Sequence, residues 1–209
     1  RVERNGKFGA SRPAPLAGEK ATYGGFYTQE QIKNVVKYAT ARNITIIPEI
    51  DLPGHSMAAL AAYPELSTKK EPKFVSPGNK FAEWFGDGSF KMNIENTLNP
   101  ADEKVYDFID KVYTEIAQLF PSKYIHMGGD ECYKGYWEES EEVQAFMKKK
   151  KIKDAHELQS YFVKRVQKII NSKGKKMIGW DEIIERGLAK GATVMSWQGM
   201  KGGIHAAKE

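Results

Sequence analysis

Cysteine is nearly absent from this sequence. A single one, Cys132, occurs among 209 residues, which excludes a disulfide within the chain and leaves the redox compartment open. Long apolar runs are also missing, since no stretch approaches the roughly 20 residues that a membrane-spanning helix needs. We therefore expect no membrane span. No signal peptide is recognisable, but the chain starts abruptly with "RVERNGKFGA", so this absence says nothing about export.

A strong excess of positive charge is missing as well. The formal net charge is +5, from 32 Lys and Arg against 27 Asp and Glu, and the lysines cluster at 148–151 and 173–176. Such clusters are typical of solvated helix ends and loops. A nucleic-acid groove needs arginines and aromatic side chains interleaved along one face, and that pattern does not occur. We expect no nucleic-acid partner, and a hydrophobic content of 41% is enough for a sizeable core.

Helix-like and strand-like segments alternate along most of the chain. Residues 1–27 look irregular, and 28–209 resemble consecutive βα units of one domain. Four short apolar strands are predicted, at 44–50, 124–128, 176–180 and 193–197. Three helices are predicted after capping residues: after Thr28, which forms a capping box with Gln31, after Asn99 and after Asp154. Two further helices are predicted, over 182–191 and from 202 onwards. The alternation predicts an α/β fold of the (β/α)8 barrel type, with about four βα units in this chain.

Side chains suited to chemistry follow each predicted strand. "IIPEID" leads through "LPG" to His55, "YIHMGG" leads to Asp130 and Glu131, "MIGW" ends at Trp180, and "VMSW" ends at Trp197. The carboxyl ends of parallel strands lie on one face, and in a (β/α)8 barrel that face holds the active site. The four strand ends therefore predict one shared site.

The residue types at these ends indicate general acid chemistry beside flat apolar walls. The two adjacent carboxylates, Asp130 and Glu131, follow a glycine pair that allows a sharp turn. Like charges this close raise the pKa of one of them, and a carboxylic acid kept protonated can serve as a general acid. Indole faces such as those of Trp180 and Trp197 can stack on sugar rings. Taken alone, the acids could instead cap the next helix, and the tryptophans could be core residues.

Five motifs together resemble the catalytic domain of glycoside hydrolase family 20, the β-N-acetylhexosaminidases. They are "YGGFYTQEQI", "IIPEIDLPGHSMAAL" with "YPEL", "YIHMGGDEC", "IGWDEI" and "VMSWQG". They occur in the family's order and cover most of residues 23–199. The resemblance implies hydrolysis of terminal N-acetylhexosaminides without a cofactor or metal, and an exported protein, at the periplasm, the cell surface or outside the cell.

The resemblance also implies a role for each candidate residue. Family 20 uses a substrate-assisted mechanism, an exception to the scheme with two enzyme carboxylates. By analogy, Glu131 is the general acid and base, and Asp130 orients the substrate's acetamido group. His55 hydrogen-bonds Glu131, and Trp180 and Trp197 line the pocket of the terminal sugar.

Some parts of the family's site have no matching motif here. Its earlier strands bring an Arg for sugar hydroxyls and an Asp that pairs with the residue at the His55 position, and its later strands bring a Tyr and a further Trp. We therefore expect residues 1–209 to be a central segment of a larger catalytic domain. Alone, the segment should have little hydrolase activity and should self-associate.

Two other classes of protein and several structural roles remain open from the sequence. "GGDE" also occurs in diguanylate cyclases, although there Phe follows and the motif sits on a hairpin. A non-catalytic carbohydrate-binding fragment would keep the tryptophans. Glu49 and Asp51 are interpreted as loop braces, and Asp181 and Glu182 as a helix cap and a first-turn acid. Trp84 lies in the long 64–98 stretch and is a candidate for the edge of a substrate subsite.

Overall fold

The computed structural model describes residues 2–4, 20, 23–73, 75, 81–87 and 89–208. The strands are β1 (Val2–Arg4), β2 (Tyr23–Gly25), β3 (Ala82–Trp84), β4 (Phe90–Met92), β5 (Tyr124–His126), β6 (Lys176–Trp180) and β7 (Thr193–Met195). The helices are α1 (Gln29–Thr40), α2 (Met57–Ala62), α3 (Glu103–Leu119), α4 (Gly135–Glu139), α5 (Glu141–Lys150), α6 (Ala155–Ser172) and α7 (Met200–Ala206), with 3-10 turns at Pro64–Leu66 and Asp181–Ile184.

A parallel sheet organises the chain. Its strands lie in the order β5, β6, β7, so neighbours in sequence are neighbours in space. A parallel bridge between Glu49 and His126 adds the segment before α2 at the β5 edge. Four consecutive parallel segments, each followed by helical structure, form four βα units of the (β/α)8 type.

The predicted strand 44–50 is wrong over most of its length. Only its end pairs with β5, through hydrogen bonds from His126 N to Pro48 O and from Ile50 N to His126 O. Ile44 and Ile47 are 57% and 39% exposed, so this segment is not buried on both faces. No described strand lies beside this segment on the side away from β5. A strand is buried on both faces only when other elements cover it, and the apolar pattern of the sequence does not show whether they do.

Two predicted strands are shorter than expected. β5 ends before Gly128, which has φ +72°, and β7 ends two residues before Trp197. The chain leaves the extended conformation there, so Asp130, Glu131 and Trp197 lie on loops beyond the strand ends. β6 has the predicted limits.

Capping residues place the long helices, with one correction. Thr28 and Gln31 form the expected capping box of α1, and Asp154 caps α6 as predicted. Asn99 does not cap α3, because its side-chain oxygen accepts from Ala101 N in a turn before the helix. Asp102 is the cap instead, and it accepts from the amide of Lys104.

The predicted helix 182–191 is also wrong. The chain forms only the 3-10 turn Asp181–Ile184, and then Arg186, Gly187 and Gly191 adopt positive φ angles. Three left-handed residues in six end any helix, because the right-handed form needs negative φ at each position. The last helix starts at Met200 rather than 202.

The ends of the irregular lead-in 1–27 differ from expectation where they are described. β1 and β2 pair in antiparallel fashion, with Val2 opposite Gly25. Residues 5–19 lie outside the described residues, so the expectation for them stays a prediction.

The long stretch 64–98 is organised around the β3–β4 hairpin, in which Ala82 pairs with Met92. A buried ion pair fastens its base, because Lys73 Nζ lies 2.9 Å from Glu95 Oε2 with side chains 5% and 2% exposed. The other Glu95 oxygen accepts from the amide and hydroxyl of Thr68.

The main core lies between the sheet and two long helices. Side chains of α3, α6, β5 and β6 make one apolar cluster, whose fully buried members include Ile109, Tyr113, Ile125, Phe162 and Met177. Helices packed on one face leave the carboxyl ends of the strands open. Every helix among the described residues is too short or too polar to cross a bilayer.

Candidate active site

One imidazole nitrogen lies among three carboxylates at the carboxyl ends of the strands. His55 Nε2 is 3.4 Å from Glu131 Oε2, 3.5 Å from Asp130 Oδ2 and 4.0 Å from Asp51 Oδ2. The structure thus brings together the three predicted catalytic residues and adds a carboxylate that we had interpreted as a loop brace.

Close packing of backbone holds the two loops against each other. A side chain on Gly128 would overlap the Asp51 carboxylate, and Gly54 sits against the carbonyl oxygen of Asp130. The amide of Gly129 donates to Asp51 Oδ1 at 3.2 Å. Glycine is therefore required at position 128, because any Cβ would push the acidic loop away from Asp51.

A helix residue that the sequence analysis missed supports the same turn. Gln159 on α6 is buried and donates its amide to Gly129 O at 2.8 Å. A polar residue on the apolar face of a helix is a usable sequence signal for such a contact, because buried amides need partners.

His55 and Glu131 both have left-handed backbone. Their φ angles are +50° and +46°, a region that non-glycine residues seldom adopt. Such conformations cost about 1–3 kcal/mol each and concentrate at functional sites. The two strained residues face each other across 3.4 Å. These backbone conformations direct the His55 imidazole and the Glu131 carboxylate toward each other.

Asp51 is the residue whose importance the sequence analysis underestimated. Burial, and then the nearby Asp130 charge, raise the pKa of its carboxyl to about 7, while His55 and the Gly129 amide oppose the rise. Asp51 follows a strand end just as Asp130 does, and that signal was available in "EID".

Asp130 is ready to accept a further hydrogen bond. Its side chain is 16% exposed, and its Oδ1 atom is buried without a donor among the described residues. Asp51, His55 and Asp130 also offer atoms within 4.8 Å of one another, but acidic clusters of this kind are common without an ion, and we assign no metal.

Trp180 is anchored beside this cluster. Its Nε1 donates to Glu49 Oε1 at 2.9 Å, and its ring lies 4.6 Å from the ring of the buried His126. Burial lowers the pKa of His126, and its Nδ1 accepts from the Gly128 amide. A neutral His126 thus supports both Trp180 and the turn that leads to the acids.

Trp197 is held by two acids, Asp181 and Glu182; only the role predicted for Asp181 was wrong, because Glu182 is a first-turn acid of the 3-10 turn as predicted. Asp181 does not cap a helix with its side chain; it accepts from the amides of Trp197 and Gln198. Glu182 accepts from the Trp197 indole at 3.2 Å. Burial raises the pKa of Glu182, and the Asp130 charge adds to the rise. Trp197 is 52% exposed, and no contact among the described residues joins it to His55.

A cavity of about 330 Å³ opens beside the acid. Glu131 and His55 line it together with Phe81, Trp84 and Phe90 of the hairpin region. Sequence analysis had flagged Trp84 alone. Only the hairpin brings the aromatic residues together.

Comparison with known proteins places this geometry in a family. Residues 5–209 match the family described as "Glycosyl hydrolase family 20, catalytic domain". The chain belongs to this family. The membership confirms the recognition from five motifs and removes the nucleotide cyclase alternative.

Two relatives of this chain are named beta-hexosaminidase. It is 46% identical over 194 residues to the beta-hexosaminidase of Porphyromonas gingivalis, which is 91% of this chain and 23% of that relative. It is 38% identical over 189 residues to the beta-hexosaminidase of Vibrio furnissii, covering 90% of this chain and 29% of that one. The chain thus spans about a quarter of the length of these relatives.

Solved structures agree with the fold. A chitobiase of Flavobacterium johnsoniae superposes with a TM-score of 0.72 at 38% identity, covering 88% of this chain and 26% of that one. The exo β-N-acetylglucosaminidase of Vibrio harveyi, in complex with N-acetylglucosamine, has a TM-score of 0.74 at 36% identity, covering 94% and 29%. The predicted fold class, α/β of the (β/α)8 type, is confirmed. The roles of His55, Asp130, Glu131, Trp180 and Trp197 stay predictions.

Proposed function

We propose that the full-length protein removes terminal, non-reducing N-acetylhexosamine residues from glycans or chitooligosaccharides. The main support for the proposal is that carboxylate oxygens of Glu131 and Asp130 both lie within 3.5 Å of His55 Nε2. The family's relatives named beta-hexosaminidase and the neighbour bound to N-acetylglucosamine support the substrate class.

The proposed reaction retains configuration and uses the substrate as its own nucleophile. A retaining enzyme with two working carboxylates places them about 5–5.5 Å apart across the scissile bond. Adjacent residues whose carboxylates both lie within 3.5 Å of one imidazole nitrogen are poorly placed to stand on opposite faces of a sugar ring. The nucleophile in the proposed reaction is therefore the acetamido oxygen of the substrate, as in the family-20 mechanism.

In the first step, Glu131 gives its proton to the glycosidic oxygen as the bond to the anomeric carbon breaks. The acetamido oxygen attacks that carbon and closes an oxazolinium ring. Asp130 accepts a hydrogen bond from the acetamido N–H and stabilises the positive charge that develops there. The buried Oδ1 of Asp130 is suited to this role, since it accepts from no described residue.

In the second step, the Glu131 carboxylate takes a proton from water as the water attacks the anomeric carbon. The oxazolinium ring opens, the acetamido group is restored, and the second inversion returns the original configuration. His55 orients Glu131 through both steps. Trp180 and Trp197 wall the terminal sugar and exclude water from the intermediate.

Leaving-group dependence tests the acid role. Glu131→Gln in the full-length protein should lower kcat/KM for N-acetylglucosaminides with poor leaving groups by about 10²–10⁴-fold. Activated aryl leaving groups need little protonation, so their loss should be much smaller. Equal losses for both would rule out Glu131 as the acid.

Thiazoline inhibitors, which mimic the cyclised intermediate, test Asp130 separately. Asp130→Asn should bind them more weakly than the wild type, and unchanged binding would exclude the assigned role. A wild-type protein that binds N-acetylglucosamine but hydrolyses no N-acetylglucosaminide would be a carbohydrate-binding protein instead.

A further inference from the structure

The cavity beside Glu131 lies on one definite side of the acid. Its lining includes Glu131 and His55, whereas Asp130, Trp180 and Trp197 do not belong to its described lining. If Glu131 protonates the glycosidic oxygen, the two halves of the substrate lie on opposite sides of that carboxyl. The half with the acetamido group belongs with Asp130, so the cavity faces the other half.

The aromatic residues that line the cavity belong to a group of rings that contact one another. Trp84 lies 5.0 Å from Phe90 between ring centroids, and Phe90 lies 5.5 Å from Tyr133, two residues beyond Glu131. The hydroxyl of Tyr136 donates to Met92 O at 2.9 Å. These contacts fasten the hairpin to the loop that carries the acid, so the wall keeps its distance from the reacting bond.

We propose that this cavity is the subsite for the leaving group and that Trp84 is its sugar-stacking platform. The inference rests on the proposed function and names the part of the substrate that the cavity holds. Trp84 is 69% exposed although Phe90 packs against it, so one indole face is available to a ligand. A volume of about 330 Å³ falls within the range of small-molecule sites, roughly 300–1,000 Å³.

The lining also selects the kind of leaving group. Glu131 and His55 are its only titratable side chains among the described residues, and Asn96 adds an amide. No Lys or Arg is in this described set to pair with a carboxylate or sulfate. The subsite therefore suits a neutral sugar, such as a second N-acetylhexosamine, whose ring stacks on Trp84 while a hydroxyl bonds Asn96.

Paired substrates test the proposal in the full-length protein. One is the β-linked disaccharide of N-acetylglucosamine, which fills both sides of the acid. The other is N-acetylglucosaminyl fluoride, whose leaving group cannot reach the aromatic wall. Trp84→Ala should lower kcat/KM for the disaccharide about three- to tenfold, the typical effect of losing one aromatic contact. The value for the fluoride should stay within about twofold.

Substitutions at nearby positions distinguish the loss of sugar stacking on Trp84 from a general disturbance of the hairpin. Phe85→Ala is the matched control, because Phe85 is exposed on the same hairpin and is not in the cavity lining. Phe85→Ala should leave kcat/KM for both substrates unchanged. Trp84→Phe should keep most of the activity on the disaccharide. Phe81→Ala gives a second, independent reading if Trp84→Ala folds poorly.

Each result decides between the two proposals. Loss for the disaccharide alone supports the subsite. Equal loss for both substrates, or loss for neither, would overturn it while leaving the hydrolase function standing. A wild-type protein inactive on both substrates would overturn the proposed function itself.

Discussion

At the scale of residues, Asp51 changes how the charges of the site are balanced. Three carboxylates near one imidazole would repel one another if all were ionised. Burial and the Asp130 charge raise the pKa of Asp51 to about 7. Below that pH, Asp51 is neutral, and it can sit against Asp130 without a second negative charge.

This pKa predicts how the stability of the protein depends on pH. An unfolded Asp has a pKa near 3.9, so between about pH 4 and pH 7 the folded protein binds one proton that the unfolded chain does not. Stability from this group therefore falls as pH rises through that interval. Asp51→Asn removes the dependence, and the variant should gain thermal midpoint relative to wild type as pH rises from 4.5 to 7.5.

The control is a carboxylate that lies in solvent. Asp107 on α3 is exposed, and Asp107→Asn should show no such trend. A constant difference between Asp51→Asn and wild type at all pH values would mean that Asp51 is ionised throughout, and that the pKa assignment is wrong.

At the scale of elements, the aromatic wall depends on a buried ion pair whose two residues lie outside the cavity lining. Lys73 and Glu95 meet at 2.9 Å under the hairpin, with side chains almost fully buried. Thr68 donates to the same carboxylate. The pair fastens both ends of the stretch that carries β3 and β4, and thus positions Trp84.

Breaking one half of this pair should loosen the hairpin. Glu95→Gln leaves the buried Lys73 ammonium with only the exposed Glu71 carboxylate, 3.9 Å away, as a counter-charge. Removing one partner of comparable buried pairs costs about 3–5 kcal/mol. Faster hydrogen exchange of the β3 and β4 amides measures the loss. The double variant Lys73→Met with Glu95→Gln should recover much of the protection, since no unpaired charge is left.

An exposed pair provides the comparison for this measurement. Lys70 lies 3.1 Å from Glu142, with both side chains more than two-fifths exposed, and its exposed ammonium also lies 3.4 Å from Asp102. Lys70→Met should cost about 1 kcal/mol or less, because solvent screens such pairs. If Glu95→Gln proved as mild as Lys70→Met, the ion pair would not be what holds the hairpin.

At the scale of the whole molecule, the described sheet has apolar surface beyond its β5 side. Phe26, Tyr27, Ile44 and Ile47 are exposed in the segments that precede β5, and Tyr27 also lines an apolar cleft with Ile46 and Ile50. β7 likewise pairs with no further described strand on its outer side. Exposed apolar surface and unpaired strand edges recruit other chains.

Produced alone, residues 1–209 should therefore self-associate and show little hydrolase activity. The second expectation follows because the family's Arg, Asp, Tyr and further Trp have no matching motif in this chain. Mass in solution and an assay with an aryl N-acetylglucosaminide measure both properties. A monodisperse, fully active monomer would contradict the prediction.

The sequence by itself determined the family, the fold class and two of the three predicted helix caps. Thr28 with Gln31 and Asp154 were read correctly because a cap bonds amides within three residues. The position of Asp130 and Glu131 after a buried strand was equally local. Apolar runs and glycine pairs are enough to mark a strand end.

Only the tertiary structure decided which strand ends meet and what lies between them. The raised pKa of Asp51 comes from burial and then from the Asp130 charge, and the wall around Trp84 comes from a hairpin closed by Lys73 and Glu95. Burial of the 44–50 segment failed as a prediction for the same reason. Burial, charge coupling and cavity shape depend on contacts between residues far apart in the chain, and no local pattern records them.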